Sequence, residues 1–223
     1  YDPQNMLGER DVKKMIEKTF DKIYANIGQI SSKNDPNIIH VLEASRCTRL
    51  SYYERKDPVN TQGSIAKISI LLKDGIRRSF SNIDGEYKVD NLTLHATADA
   101  IIDDQYVARF ELVTRLPDVP HPRDLLYLNA CLFVFNKNDG VLIYMTPDGQ
   151  SLDFFVTKNN RMFEDVVRRA RILSTLLKEC KVPIIEPCDL CLSCKYYERC
   201  YYRERKIANF SLESLFGRGK SEI

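Results

Sequence analysis

Four cysteines crowd thirteen residues near the end of the chain: Cys188, Cys191, Cys194 and Cys200 in EPCDLCLSCKYYERC, with two, two and five residues between them. A fifth, Cys47, stands far upstream in EASRCTRLSYYERKDP. Thiolates at such spacing converge on a soft metal ion or an iron–sulfur cluster. CxxCxxxxxC supplies three ligands. The fourth comes from Cys188, giving a compact local knuckle, or from Cys47, which would clip the N-terminal part of the chain to its C-terminal loop. The spacing alone allows zinc as well as iron and sulfide.

Composition bounds what surrounds this knot. A chain of 223 residues is long enough for one large domain or two small ones with a proper core. No run approaches the roughly 18–20 apolar residues of a membrane span. No signal-peptide pattern opens the sequence. Seven cysteines in that setting favour metal ligation in a reducing compartment over disulfides, so the cytoplasm is the expected location. Cys131 and Cys180 lie in apolar surroundings and read as bystanders. A net charge of +2 is close to neutral, so nucleic-acid binding has to come from local patches and not from total charge.

The elements that must position these residues follow from periodicity. Apolar residues from Val12 to Ile30 recur at helical spacing and predict a long amphipathic helix over 8–30, broken by SSKNDPN. A second helix is expected from about Glu43 to Arg55, stopping before Pro58, and a third over Asn60–Phe80, which Gly75 would end or kink. Short β-rich stretches then follow at Tyr87–Val89, Asn91–His95, Ala98–Ile102 and Tyr106–Val113, separated by turn residues as in a meander. DLLYLNACLFVF reads as a buried helix, and VLIYM and LDFFV as strands around a PDG turn. Asn160–Cys180 is a strong amphipathic helix, with Arg168, Arg169 and Arg171 off its apolar face as a solvated set.

CTRLSYYERKDP followed about 140 residues later by CLSCKYYERC resembles the RecB-type nucleases that carry an iron–sulfur staple. The likeness is greatest to the small CRISPR-associated exonuclease family of archaea and bacteria, over roughly residues 40–202. The resemblance implies a [4Fe–4S] cluster held by Cys47, Cys191, Cys194 and Cys200, with Cys188 a spare. It also implies a PD-(D/E)XK core, and hence an α/β, restriction-endonuclease-like (RecB-type) fold with a mixed sheet. On that frame residues 1–80 form an N-terminal helical lobe carrying the first cysteine, 81–185 the nuclease-type core, and 186–223 the cluster loop and tail, as one integrated unit.

Such a core needs acidic residues to hold Mg²⁺ or Mn²⁺ beside the scissile phosphate, and a lysine to orient water and offset charge. ATADAII resembles the family's Gly-x-x-Asp strand, with Ala96 in the glycine's place and Asp99 as metal ligand. ARFELV resembles the following Glu-x-Lys strand, with Glu111 as second ligand. The lysine expected two residues later is Val113, and Arg115 is the next cation of the same alternation. Arginine stabilises phosphoryl charge but stays protonated, so it does not serve as a base. Where the family has a histidine four residues after a glycine, QGSIAK has Lys67; where it has Gln-x-x-x-Tyr, YLNAC has Tyr127 and Cys131. His95 and His121 fall on neither position.

Arg46, Arg49, Arg55 and Lys56 interleave with Tyr52 and Tyr53 around Cys47. Lys195, Arg199, Arg203, Arg205 and Lys206 interleave with Tyr196, Tyr197, Tyr201 and Tyr202 around the other cysteines. Joined by a metal, the two sets would form a surface able to grip phosphates and stack unpaired bases. The alternative is that the tyrosines pack around the cluster, and the arginines are the better candidates for DNA. Phe210, Leu212, Leu215 and Phe216 in the tail suit a docking helix for a protein partner or a second copy. The expectation is an iron–sulfur protein that binds DNA ends or single strands as an accessory subunit, with hydrolysis weakened or lost. The alternative is an active Mg²⁺- or Mn²⁺-dependent exonuclease whose lysine has migrated, with Lys67 the candidate.

Overall fold

The computed structural model describes residues 35–59, 64–80, 83–188 and 190–201, with backbone alone for 64–67. The helix expected over 8–30 and the tail residues beyond 201 lie outside them. Strand β1 (Ile38–His40) leads directly into helix α1 (Val41–Ser45), and α2 (Thr48–Lys56) follows after two residues. The single helix expected over 43–55 is therefore two. Arg46 is extended at the break, and Cys47 is non-helical. Ser51 Oγ donates across it to the Glu43 carbonyl at 2.9 Å, and Arg169 Nε and Nη2 each donate at 2.7 Å to the Ala44 and Arg46 carbonyls. These bonds satisfy carbonyls that the break leaves without helical partners. The break puts Cys47 at the N-cap of α2.

Helix α3 (Ser64–Arg77) runs through Gly75 without ending there. The expected meander appears as β2 (Asp84–Val89), β3 (Leu92–Thr97), β4 (Ala100–Ile102) and β5 (Tyr106–Leu112), but it is divided between two sheets. One has the order β1-β3-β2, with β1 parallel and β2 antiparallel to β3. The chain then bends at Ala98–Asp99 and enters the second sheet. There β4-β5-β6-β7 pair antiparallel, parallel and antiparallel in turn, with β6 spanning Asp139–Met145 and β7 Ser151–Thr157. Helix α4 (Pro122–Val134) makes the crossover that the parallel β5–β6 pair requires. This is the expected mixed α/β core, with its strands in two mixed sheets.

The buried face of α4 carries Tyr127, Leu128, Cys131 and Leu132 onto the strands, all at most 2% exposed. Sheet and helix approach closely at Gly85, where a Cβ would stand 2.8 Å from Val134 Cγ1. Helix α5 (Asn160–Lys178) packs Val166, Ala170 and Leu173 into the same core. Asn129, fully buried on α4, donates from Nδ2 to the Asn159 carbonyl at 2.9 Å and accepts from Asn159 N–H at 2.8 Å. It thereby locks the start of α5, where Asn159 itself caps Met162 N–H. Among the described residues no helix is long and apolar enough to cross a membrane.

Candidate functional site

Asp99 sits on the bend between the two sheets and is fully buried. Its Oδ2 accepts the Phe110 backbone N–H at 3.0 Å and lies 3.5 Å from Arg109 Nη1, while Oδ1 takes Arg77 Nη2 at 2.6 Å. Glu111 Oε1 receives Lys73 Nζ at 2.9 Å and also Nη2 of Arg109. Arg109 thus spans both carboxylates, and its guanidinium lies 4.0 Å from the centre of the Tyr127 ring. Lys73 and Arg77 reach the pair from α3, four residues apart on one helical face.

The electrostatics are those of a closed set. Burial pushes the Glu111 carboxyl up, but Arg109 and then Lys73 outweigh it and hold it down to about 2. Burial and Arg109 lower the Lys73 ammonium, opposed by Glu111 and Asp99. Burial works against the Arg109 charge too, yet Glu111 and Asp99 raise its pKa. At the rim, burial and then Glu111 raise Asp124, whose Oδ2 accepts the Tyr144 hydroxyl at 2.8 Å. The His40 imidazole is pushed down to about 3, chiefly by burial and then by His95 and Arg109. It lies 5.6 Å from the His95 ring and 6.3 Å from that of Tyr127.

The structure thus brings Asp99, Glu111 and Tyr127 together, with Cys131 beside Tyr127. Arg115 is exposed beyond the end of β5 and makes no ion pair with either carboxylate among the described residues. Lys67 lies in α3, and its side chain is outside the described residues. The cations that do arrive, Lys73, Arg77 and Arg109, are absent from the sequence-based candidates. Two signals could have found them: the i, i+4 spacing of Lys73 and Arg77, and the alternation that puts Arg109 on the face of Glu111. No local pattern marks His40.

The second candidate site is the cysteine knot. Cys47 makes no side-chain capping bond at the start of α2. Cys191 opens a 3-10 turn, and Cys194 N–H and Cys200 N–H close successive turns onto the Cys191 and Tyr196 carbonyls at 3.1 and 3.0 Å. Burial raises the Cys200 thiol; Arg49 opposes that, while Cys194, Cys47 and Cys191 add to it. Burial also raises Cys188, whose Sγ is 3.8 Å from that of Cys191 and which feels Cys47 as well. All five thiols therefore share one neighbourhood. Among the described residues no three His, Cys, Asp or Glu side chains gather closely enough to hold a single metal ion.

The loop docks on α2 with the residues expected to face DNA. Tyr196 is buried, its ring 5.3 Å from that of Tyr53, and its hydroxyl accepts Val59 N–H and donates to the Asp57 carbonyl, both at 3.1 Å. Lys195 pairs with Glu54 at 2.9 Å, Arg46 with the same carboxylate, and Arg199 with Asp57 while lying over the Tyr53 ring. Arg55 is clamped on Glu43 and on the Asp35 and Ile38 carbonyls. Arg46, Arg55 and Arg199 are thus engaged within the protein, as are Tyr53 and Tyr196. The solvated set on α5 divides likewise: Arg168 and Arg171 pair with Asp165 and Asp90 at the surface, whereas Arg169 braces the α1–α2 break.

No protein-family model matches the sequence, and no curated protein matches it. Among solved structures, that of SSO0001 superposes with a TM-score of 0.64 and 21% sequence identity, covering 83% of this chain and 96% of its own. An alkaline exonuclease (LHK-Exo) from Laribacter hongkongensis matches with a TM-score of 0.44 and 8% identity, covering 78% of this chain and 95% of its own. At 21% identity the likeness to SSO0001 is one of fold.

Proposed function

We propose that the chain is a DNA-binding protein of the RecB-like, CRISPR-associated exonuclease type, stapled by a [4Fe–4S] cluster, that has lost hydrolysis and serves as an accessory subunit in DNA processing. The observation that carries the loss of hydrolysis is the closed ion-pair set, in which two carboxylates face three cations with Arg109 between them. A divalent ion needs carboxylate oxygens that protein cations have not already claimed. Both oxygens of Asp99 and Oε1 of Glu111 are so claimed, and Mg²⁺ or Mn²⁺ does not fit these residues as they stand.

The cysteine knot fits its proposed guest better. Its donors are all thiols, a soft set suited to iron and sulfide. In a mononuclear zinc site the sulfurs would crowd around one ion with bonds of about 2.3 Å. A cubane holds each thiolate on a different iron and tolerates wider separations. Cys47, Cys191, Cys194 and Cys200 would hold the cluster, and Cys188 stands in reserve. Bound there, the cluster would supply cohesion between α2 and the C-terminal loop. The exposed Tyr197, its ring 4.7 Å from that of Tyr201, offers a stacking platform for unpaired bases.

A second reading rests on Lys73, a buried lysine 2.9 Å from Glu111 with a lowered pKa, as the migrated catalytic lysine of an active Mg²⁺- or Mn²⁺-dependent exonuclease. One assay separates the two. Anaerobically purified protein is mixed with labelled single- and double-stranded DNA, with and without Mg²⁺ or Mn²⁺. Salt-dependent binding to single strands or ends without cleavage is the expected result. Cleavage that disappears in Asp99→Ala would establish the enzyme instead.

A further inference from the structure

We infer that Arg109 is an internal substitute for a divalent metal ion, and that the chain carries the acid-then-lysine pattern of a metal centre with its charges exchanged. The inference rests on the reading of a silent catalytic centre and names what silenced it. The evidence is strand register. Ala100 pairs with Ala108 in the antiparallel β4–β5 ladder, so Asp99, one residue earlier, faces Arg109, one residue later. The Phe110 N–H bond to Asp99 Oδ2 fixes that alignment at the bend. Side chains alternate along a strand, so Arg109 and Glu111 share a face and Glu111 lies one step farther from Asp99. Val113 is past the end of β5, and its N–H is committed to the Met145 carbonyl.

The position across from Asp99, where a second carboxylate would complete a metal site, therefore holds a guanidinium. The position two residues on, where a lysine would offset charge, holds a carboxylate. Arg109 reaches Asp99 with Nη1 and Glu111 with Nη2, as a bridging cation would. Its planar fork, always charged, suits two carboxylates at once. From α3, Arg77 takes the other oxygen of Asp99, Oδ1, and Lys73 shares Glu111 Oε1 with Arg109. The centre keeps the shape of a metal site and supplies its own cation.

The test is to reverse the exchange and titrate Mn²⁺ alone by calorimetry and thermal shift. The unmodified chain should show no Mn²⁺ binding that depends on Asp99. Arg109→Glu combined with Glu111→Lys should gain measurable Mn²⁺ binding, because a carboxylate then replaces the guanidinium facing Asp99, and Asp99→Asn should remove the gain. Val113→Lys should gain nothing. If circular dichroism shows the double variant unfolded, Arg109→Gln decides the matter, since losing the guanidinium alone should open measurable Mn²⁺ binding. Asp99-dependent Mn²⁺ binding by the unmodified chain, or a folded reversal variant that gains none, overturns the inference. An unmodified chain that binds Mn²⁺ yet cleaves no DNA sinks this inference and leaves the silent-centre reading standing. Failure to bind DNA sinks the proposed DNA-binding role and leaves this inference standing.

Discussion

The ion-pair centre and the cysteine knot are both assembled from groups that metal ions favour, and they differ in how their charge is balanced. At Asp99 and Glu111 the carboxylates are paired from within the chain by Lys73, Arg77 and Arg109. At the knot the thiols face chiefly one another, and burial together with neighbouring thiols raises Cys188 and Cys200. Metal binding requires the thiolate, so a metal or cluster bound there would offset the burial that raises these thiols. On the proposed function, the first site is retired and the second holds the cluster.

The largest effect should come from the knot. Cys47→Ser and Cys200→Ser should each remove iron and acid-labile sulfide and unfold the C-terminal loop, on the scale of structural-metal loss, about 10 kcal/mol when the metal is the main staple. Cys180→Ser, away from the knot, should leave metal content unchanged; iron analysis with thermal melts checks both. If Cys188→Ser and not Cys47→Ser empties the site, the local knuckle is correct and the contrast between the two regions weakens.

Next comes the ion-pair centre. Arg109→Met leaves the buried Asp99 with one cation fewer, and should cost about 3–5 kcal/mol in chemical denaturation. A loss no larger than that of an exposed pair would mean the centre is not internally balanced. Arg169→Ala, which strips the carbonyls at the α1–α2 break, should cost about 2 kcal/mol and loosen the presentation of Cys47. Arg168→Ala on the same helix, paired at the surface with Asp165, should stay within about 0.5 kcal/mol.

The sharpest pH signature belongs to His40. Its folded pKa, about 3, lies below the ordinary 6.5, so the unfolded chain binds a proton that the folded chain refuses. The stability is present in full above pH 6.5 and is lost as pH falls toward 3, by about 1.4 kcal/mol per unit at the steepest. His40→Asn keeps a capping acceptor for Leu42 N–H and should flatten the slope between pH 6.5 and 4, measured by denaturant midpoint at each pH. Glu111, also depressed, adds its own loss only below its ordinary value of 4.5.

Periodicity alone located α3, α4, α5 and most strands, because a helix or strand buries one face and its residues repeat accordingly. Cysteine spacing alone picked out the knot, since thiols gathered on one short loop leave a local signature. Three things escaped. β1 is three residues long and takes its identity from β3, a partner more than fifty residues away. The helix break before Cys47 depends on Arg169, far along the chain. The fate of the carboxylates depended on cations from α3 and on which residue of β5 faces Asp99. Charge pairing across elements has no period, and only strand register at the Asp99 bend decided whether an acid or Arg109 stood opposite.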